Sequence, residues 1–284
     1  MLWFEGRLQP GPVAPFDLTD RGLLLGDGLF DTALGLEGRI VFEEAHVARL
    51  VAGARTLGFS IEPEPIREAM RALAASLPRA AIRTNATRGS GPRGLAPPGA
   101  VRPVLWATAA PWDPALAFAP LRLLPVAVRR NETSVAAGVK TLGYLDAVLA
   151  AGEAKRRGFD EALFRNTGGE VACAGTGNLF AVFGDTLVTP PLADGVLPGI
   201  VRAEILERIA PSLGLAVQER SLSLEALEEA DAVILTNSLR LLAPVEAVGA
   251  TGFGSATNPT VARLAEALGR AVARDCGVAV ETLR

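Results

Sequence analysis

Apolar residues recur along the chain in short blocks whose spacing is that of a helix in some places and of a strand in others. Residues 43–57 put Val47, Leu50 and Ala54 on one helical face, and Gly58 follows as a C-terminal cap. The other elements predicted in this part are a helix at 65–77 and strands at 29–34, 39–42, 80–87 and 103–109. Strands and helices therefore follow one another without the strict alternation of a doubly wound sheet.

The rest of the chain continues this irregular mixture after a proline-rich break near residue 112. The predicted strands are 121–128, 161–165, 170–174, 178–182, 186–188, 216–220 and 232–235, and the predicted helices are 142–157, 200–210, 224–229 and 261–274. The pattern predicts a mixed α/β protein of the α+β type. We expect a small N-terminal domain at 1–112, a linker at 113–120 and a larger C-terminal domain at 121–284.

The amino-acid composition argues against several classes of protein. The 284 residues are 49% hydrophobic and carry a formal net charge of −3, which argues against binding to nucleic acid or to a membrane surface. No uncharged apolar run approaches the roughly 18 residues of a membrane span. Two cysteines, Cys173 and Cys276, form no disulfide framework, and no signal-peptide pattern opens the chain. We therefore expect a cytoplasmic protein.

Lys140 is the first candidate for chemistry. Of 28 lysines and arginines only Lys140 and Lys155 are lysine, and Lys140 lies in an apolar stretch. Arginine stays charged, whereas a lysine amine can be deprotonated and can form a Schiff base with a carbonyl. A lysine at a helix start that reaches water is the alternative, and composition alone leaves it open.

Each of the other candidate site residues is weaker evidence for chemistry when it is taken alone. A glycine turn at Gly199 opens a helix at Ile200 and Val201, whose N–H groups could hold an anion, although a plain Pro-Gly turn has the same pattern. Arg49 follows the single histidine by one helical turn, and Ser238 ends an apolar strand. Each of these two also suits an ordinary surface or capping role.

Two arginines and a tyrosine complete the candidates. Arg88 and Arg93 flank a glycine-rich loop and could bind a carboxylate with their planar guanidinium groups, or could be surface cations. Tyr144, the only tyrosine, follows Lys140 by four residues. No metal-ligand spacing stands out, so we expect no metal site.

The order of these motifs, rather than any one of them, resembles a known family. The relevant segments are 26–32, 46–50, 140–145, 158–162, 166–169, 178–180, 197–202, 236–238 and 244–245. Over about residues 21–245 the chain is similar to fold-type IV, pyridoxal-phosphate-dependent enzymes, the aminotransferase class IV family. That family contains branched-chain and D-amino-acid aminotransferases and 4-amino-4-deoxychorismate lyases.

The resemblance implies a role for each candidate. Lys140 would form the Schiff base with pyridoxal 5'-phosphate and move the substrate's α-proton. Four groups would hold the cofactor phosphate: the side chains of Arg49 and Ser238 and, after Gly199, the N–H groups of Ile200 and Val201. Tyr144 would lie near the cofactor's phenolic oxygen, and the substrate side would be lined by Phe30, Arg88 and Arg93.

The resemblance also implies an architecture and partners. It predicts a small α/β domain and a larger C-terminal pseudo-barrel domain, with the site between them. It further predicts a homodimer in which a second subunit completes the site, and a small-molecule amino substrate.

One position departs from the family. The family usually has a glutamate five residues before the Asn of Asn178-Leu179-Phe180, where it keeps the cofactor's pyridine nitrogen protonated, and here that position is Cys173. A neutral thiol supplies no negative charge, so the ring becomes a weaker electron sink. This favours elimination, as in a 4-amino-4-deoxychorismate lyase that releases 4-aminobenzoate and pyruvate for folate synthesis. The alternatives are an aminotransferase for D-, branched-chain or small amino acids, a thiolate that replaces the carboxylate, and a cofactor-binding protein with little turnover.

Overall fold

The computed structural model describes residues 1–283, which group into two compact units. The small unit comprises Met1–Asp113, Val139–Gly143 and Arg274–Val278. The large unit comprises Pro114–Gly138, Tyr144–Ala273 and the residues from 279 onward. Two short segments, at 139–143 and 274–278, thus leave the predicted C-terminal domain and group with the N-terminal one. Within residues 1–283, no helix has both the length and the apolar character needed to cross a membrane.

The small unit is built on one antiparallel sheet. Its strands are Leu2–Phe4 (β1), Arg7–Gln9 (β2), Gly28–Leu36 (β3), Arg39–Ile40 (β4), Arg79–Thr87 (β5) and Val104–Pro111 (β6). They pair in the order β2-β1-β6-β5-β3-β4. The helices are Arg21–Leu25 (α1), Glu43–Thr56 (α2) and Pro63–Ala74 (α3).

Helices α2 and α3 bury their apolar faces in the core of this unit. Val47 and Leu50 of α2 and Ile66, Met70 and Leu73 of α3 are all buried in one cluster. Each such side chain contributes about 1.5–3 kcal/mol when it is fully buried. Helices of this length are marginal on their own in water, so this packing, rather than helix propensity, keeps them folded.

The large unit contains nine strands in a mixed sheet. They are Leu121–Arg130 (β7), Glu161–Asn166 (β8), Val171–Ala174 (β9), Asn178–Phe183 (β10), Thr186–Thr189 (β11), Ala216–Glu219 (β12), Ala232–Asn237 (β13), Leu241–Val248 (β14) and Thr251–Gly252 (β15). The order is β12-β11-β10-β13-β14-β7-β8-β9, and β15 pairs with β14. Three pairs are parallel, namely β11 with β12, β14 with β7, and β7 with β8. The mixed α/β class predicted from the sequence is therefore confirmed.

The helices of the large unit are Leu145–Arg156 (α4), Ile200–Glu204 (α5), Ala210–Ser212 (α6), Leu224–Glu228 (α7) and Pro259–Cys276 (α8), the last three residues of which group with the small unit. Two differ from prediction. The helix predicted from residue 142 begins at Leu145, so Lys140 does not lie at a helix start. The helix predicted at 200–210 is interrupted by a π-helical turn, Ile205–Ile209.

Candidate active site

Lys140 lies in an extended segment beside the beginning of β3. Its carbonyl oxygen accepts a hydrogen bond from the N–H of Phe30 at 2.8 Å, and the N–H of Leu142 donates to Gly28 at 3.0 Å. A Cβ on Gly28 would meet the carbonyl oxygen of Ala86 at 2.6 Å and a methyl group of Leu142 at 2.8 Å. The glycine therefore lets the lysine segment approach β3 closely and fixes where Lys140 emerges.

The side chain of Lys140 lies on an aromatic ring that a second cation shares. Its Nζ is 4.3 Å from the centroid of the Phe30 ring, and the guanidinium carbon of Arg83 is 3.6 Å from the same centroid. Arg83 also donates through Nε to Asn85 at 2.9 Å, and its side chain is exposed. The structure thus places Lys140, Phe30 and Arg83 together in the small unit. No local feature of the sequence singles out Arg83, because only the register of β3 with β5 places it opposite Thr32, two residues along β3 from Phe30.

Arg49 is braced by a buried carboxylate. Its Nε donates to Asp31 Oδ2 at 2.8 Å and its Nη2 donates to Asp31 Oδ1 at 2.9 Å. His46, one turn earlier on α2, shares a 2.7 Å hydrogen bond with the same carboxylate through Nδ1. Burial alone would raise the pKa of Asp31, but the charges and hydrogen bonds of Arg49 and His46 outweigh it and hold that pKa well below its ordinary value. Arg49 is therefore a partly buried, oriented guanidinium and not the solvated surface cation that the sequence left open.

The glycine turn before α5 is fixed from within the large unit. Asn178 donates through Nδ2 to the carbonyl of Leu197 at 2.9 Å, and a Cβ on Gly199 would lie 1.9 Å from Asn178 Oδ1. Ile200 and Val201, the first residues of α5, are both buried. The N–H groups of a helix's first turn have no partner inside the helix, so a turn held in this way can direct them at a ligand.

Ser238 lies at the same edge of the large-unit sheet as that turn. Asn178, which begins β10, pairs with Thr236 near the end of β13, and Ser238 follows this strand by one residue. The side-chain oxygen of Asn237 accepts the N–H groups of Leu239 and Arg240 at 3.0 and 2.7 Å, which fixes the turn. The register therefore brings two of the candidates for anion binding, Gly199 and Ser238, to one edge.

Glu161 is a buried acid that the sequence analysis did not single out. It is 8% exposed, and its Oε2 accepts a hydrogen bond from Thr176 at 2.6 Å. Asn237 in turn donates to the Thr176 hydroxyl at 3.3 Å. Burial raises the pKa of Glu161 above its ordinary value, despite the opposing hydrogen bond from Thr176. The signal in the sequence was an acid at the start of an apolar strand, which alone does not separate a buried acid from a solvated one.

Cys173 and Tyr144 both lie in the large unit. Cys173 is on β9, opposite Phe164 of β8, and is buried in an apolar cluster with Leu124, Val126 and Ala162. β9 itself, Val171–Ala174, contains no carboxylate. Tyr144 is the N-cap residue of α4 and is half-buried.

Arg88 requires a correction. It is 4% exposed, and its guanidinium donates to Asp27 through Nε and to the carbonyls of Gly58 and Leu57 through Nη1 and Nη2. A group held in this way is part of the small unit's own structure and is not presented to a substrate. Arg93, the second arginine of this loop, is exposed.

Comparison with known proteins finds one matching family and several similar proteins. Residues 28–248 match the family described as amino-transferase class IV. A protein of Methanocaldococcus jannaschii, provisionally named a branched-chain-amino-acid aminotransferase, is 33% identical over 250 residues, which is 86% of each chain. The aminodeoxychorismate lyase of Vibrio harveyi is 30% identical over 256 residues, covering 88% of this chain and 92% of that protein.

Solved structures agree with the sequence comparison. The crystal structure of 4-amino-4-deoxychorismate lyase from Pseudomonas aeruginosa superposes with a TM-score of 0.86 at 32% identity. The match covers 95% of this chain and 98% of that one. Relatives with two different activities are thus similar to this chain along nearly its whole length.

Proposed function

Since this chain belongs to the amino-transferase class IV family, we propose that it is a pyridoxal 5'-phosphate-dependent enzyme acting on a small amino substrate. The leading reaction is elimination from 4-amino-4-deoxychorismate, which releases 4-aminobenzoate and pyruvate. The observation that carries the choice of elimination is Cys173, a thiol in an apolar cluster, on a strand that has no carboxylate.

The residues of each unit fit the cofactor. When bound, pyridoxal phosphate supplies an aldehyde that condenses with amines and a ring that accepts electrons. Lys140 has the amine to hold the aldehyde and to take the proton from the substrate's α-carbon, and the Phe30 ring lies against its Nζ. Arg49, oriented by Asp31, suits a phosphate because a guanidinium binds phosphate oxygens with a planar pair of donors.

The large unit has neutral donors of its own that suit an anion. The Ser238 hydroxyl and the N–H groups of Ile200 and Val201 lie at one edge of its sheet, and Asn178 fixes the turn that precedes α5. The N-terminus of a helix favours a nearby negative charge by about 0.3–1 kcal/mol in exposed positions. We assign these groups to the phosphate, and Tyr144 to the cofactor's phenolic oxygen.

Substrate recognition is assigned to two arginines. The substrate of the proposed lyase carries two carboxylates, and bidentate guanidinium–carboxylate pairs are among the stronger hydrogen-bonded contacts. Arg83 is exposed and stacks on Phe30, the ring that also contacts Lys140 Nζ. Arg93 is exposed on the glycine-rich loop. We assign one carboxylate to each.

We propose that the enzyme works as a homodimer. Leu145, Val148 and Leu149 lie at i, i+3 and i+4 on α4 and are 69%, 63% and 58% exposed. An exposed apolar stripe of this kind marks an interaction surface. A second copy of this chain is the occupant we propose for the stripe.

A transaminase for branched-chain or D-amino acids is the second candidate, and its branched-chain form is supported by the 33% identity to the relative from Methanocaldococcus jannaschii. A cofactor-binding protein with little turnover is the third. The test offers the purified protein with pyridoxal phosphate either 4-amino-4-deoxychorismate or an amino donor with 2-oxoglutarate. Release of 4-aminobenzoate and pyruvate without a keto acid supports the lyase, and glutamate formation supports the transaminase. A Lys140→Ala variant is the control, and no turnover of either substrate by the wild type leaves only cofactor binding.

A further inference from the structure

Two buried arginines of the small unit share one carboxylate. Arg21 and Arg88, each 4% exposed, both donate through Nε to Asp27 Oδ2, and each distance is 2.8 Å. Burial alone would raise the pKa of Asp27, but the hydrogen bonds from the two guanidinium groups outweigh it and lower that pKa. We call Arg21, Asp27 and Arg88 the clasp.

The two arginines extend from Asp27 to different parts of the small unit. Arg88 donates to the carbonyls of Leu57 and Gly58 at the end of α2 and lies over the Phe59 ring, 5.0 Å from its centroid. Arg21 donates to the carbonyls of Gly94 at 3.0 Å and Leu95 at 2.8 Å. The clasp therefore ties residues 94–95 to the end of α2.

The clasped segment belongs to the loop between β5 and β6. Residues 88–103 include four glycines and four prolines, and no strand pairing orders the middle of the loop. Fixing the backbone costs about 1–2 kcal/mol per residue, so such a loop needs specific contacts to keep one conformation. Arg93 directly precedes the first clasped carbonyl, that of Gly94. Its backbone is thus held on one side while its side chain stays exposed.

We propose that Arg21 and Asp27 are positioning residues that fix Arg93 for a carboxylate of the substrate. This inference rests on the proposed function. An Arg93 held in this way would favour substrates that carry a second carboxylate over simple amino acids. A guanidinium bonds a carboxylate bidentately only in a narrow range of orientations, so a loosened loop weakens that contact without altering the reacting centre.

The test uses Arg21→Lys and Asp27→Asn in the full-length, cofactor-loaded protein, with Arg7→Lys, an exposed arginine of the same unit, as the matched control. Lysine keeps the charge of Arg21 but cannot hold two adjacent carbonyls with a planar fork. We expect trypsin to cleave after Arg93 about tenfold faster in both clasp variants than in the wild type or the control. KM for 4-amino-4-deoxychorismate should rise about tenfold, with kcat and the cofactor Kd within about twofold of wild type.

A second variant separates positioning from folding. Arg93→Gln should raise KM as the clasp variants do, and adding Arg21→Lys to Arg93→Gln should raise it no further, because coupled residues are not additive. If the clasp variants are cleaved faster but their KM is unchanged, the clasp has only a structural role and the proposal is overturned. Additive increases of KM in the double variant would also overturn it. If a clasp variant does not fold, the proposal is tested by Arg93→Gln alone. An unchanged KM in the Arg93→Gln variant would reject the proposal. An enzyme inactive on every substrate would contradict the proposed function instead, and the cleavage rates would still show whether the clasp orders the loop.

Discussion

Asp31 holds Arg49 by two parallel hydrogen bonds, Nε to Oδ2 at 2.8 Å and Nη2 to Oδ1 at 2.9 Å. The two side chains are 3% and 16% exposed, so solvent screens the pair only weakly. A guanidinium held at two points has lost most of its rotamer freedom before any ligand arrives. Ligand binding therefore costs less ordering entropy, which is the physical reason to assign the cofactor phosphate to Arg49.

Replacing Arg49 by alanine should raise the Kd for pyridoxal phosphate about tenfold to a hundredfold. A charge-assisted hydrogen bond contributes about 1.5–3 kcal/mol, and each 1.4 kcal/mol is a factor of ten. Fluorescence titration of the apoprotein measures this, with exposed Arg55 of the same helix as the matched control, Arg55→Ala. An equal Kd in the Arg49 variant, the Arg55 variant and the wild type would remove Arg49 from the phosphate site.

Glu161→Gln should make the stability of the protein less dependent on pH. Because burial raises the pKa of Glu161, the folded state binds this proton more tightly than the unfolded state does. Its contribution to stability is then fully present below the ordinary value of about 4.3 and is lost as the pH rises through the raised pKa. In urea unfolding at about pH 4 and pH 7, the variant should gain stability over wild type at the higher pH. An identical difference at both pH values would show that Glu161 titrates normally.

Cys173→Glu tests the departure from the family. A carboxylate at this position would pair with a protonated pyridine nitrogen and make the cofactor ring a stronger electron sink. We expect half-transamination to speed up relative to elimination, whereas Cys173→Ser stays near wild type because a hydroxyl is neutral as well. Rapid-mixing absorbance with an amino donor gives the first rate, and pyruvate release gives the second. Loss of activity in Cys173→Ser without recovery in Cys173→Glu would indicate a thiolate or a packing role.

Leu149→Glu should convert the proposed dimer into monomers. The substitution places a charge within the apolar stripe of Leu145, Val148 and Leu149, and a buried unpaired charge at an interface costs several kcal/mol. Sedimentation equilibrium measures the mass of the particle, with Leu116→Glu, at an exposed leucine outside α4, as the control. The stripe would be rejected as the interface if the wild type is a monomer. It would also be rejected if the Leu149→Glu variant dimerises with the same dissociation constant as the control.

The sequence pattern was sufficient to predict those helices and strands whose defining features lie within the element itself. The helix predicted at 43–57 is observed at Glu43–Thr56, since its apolar spacing and its closing glycine are local features. The strand Leu241–Val248 was missed, because Pro244 lacks an N–H and argues against a central strand. Pro244 is tolerated since it pairs with Ile234 on one side, while pairing with β7 on the other side begins only at Val245.

The candidate site was predictable only in part. Lys140 and Arg49 stood out by residue type and by family resemblance, but their partners Phe30 and Asp31 depend on contacts between residues far apart in the sequence. Arg88 had the same sequence appearance as Arg93, and only burial separates the two. Long-range register and burial are what a single sequence does not specify.

We propose that Lys140 holds the cofactor aldehyde. The chain contains only two lysines, so borohydride reduction of the pyridoxal-phosphate-loaded protein followed by peptide mapping has two candidate positions. Lys155 on α4 is exposed and serves as an internal control within the same molecule. We predict a yellow protein whose visible absorbance is lost on reduction, with one pyridoxyl group per chain on Lys140. A label on Lys155, or no label at saturating cofactor, would contradict the assignment.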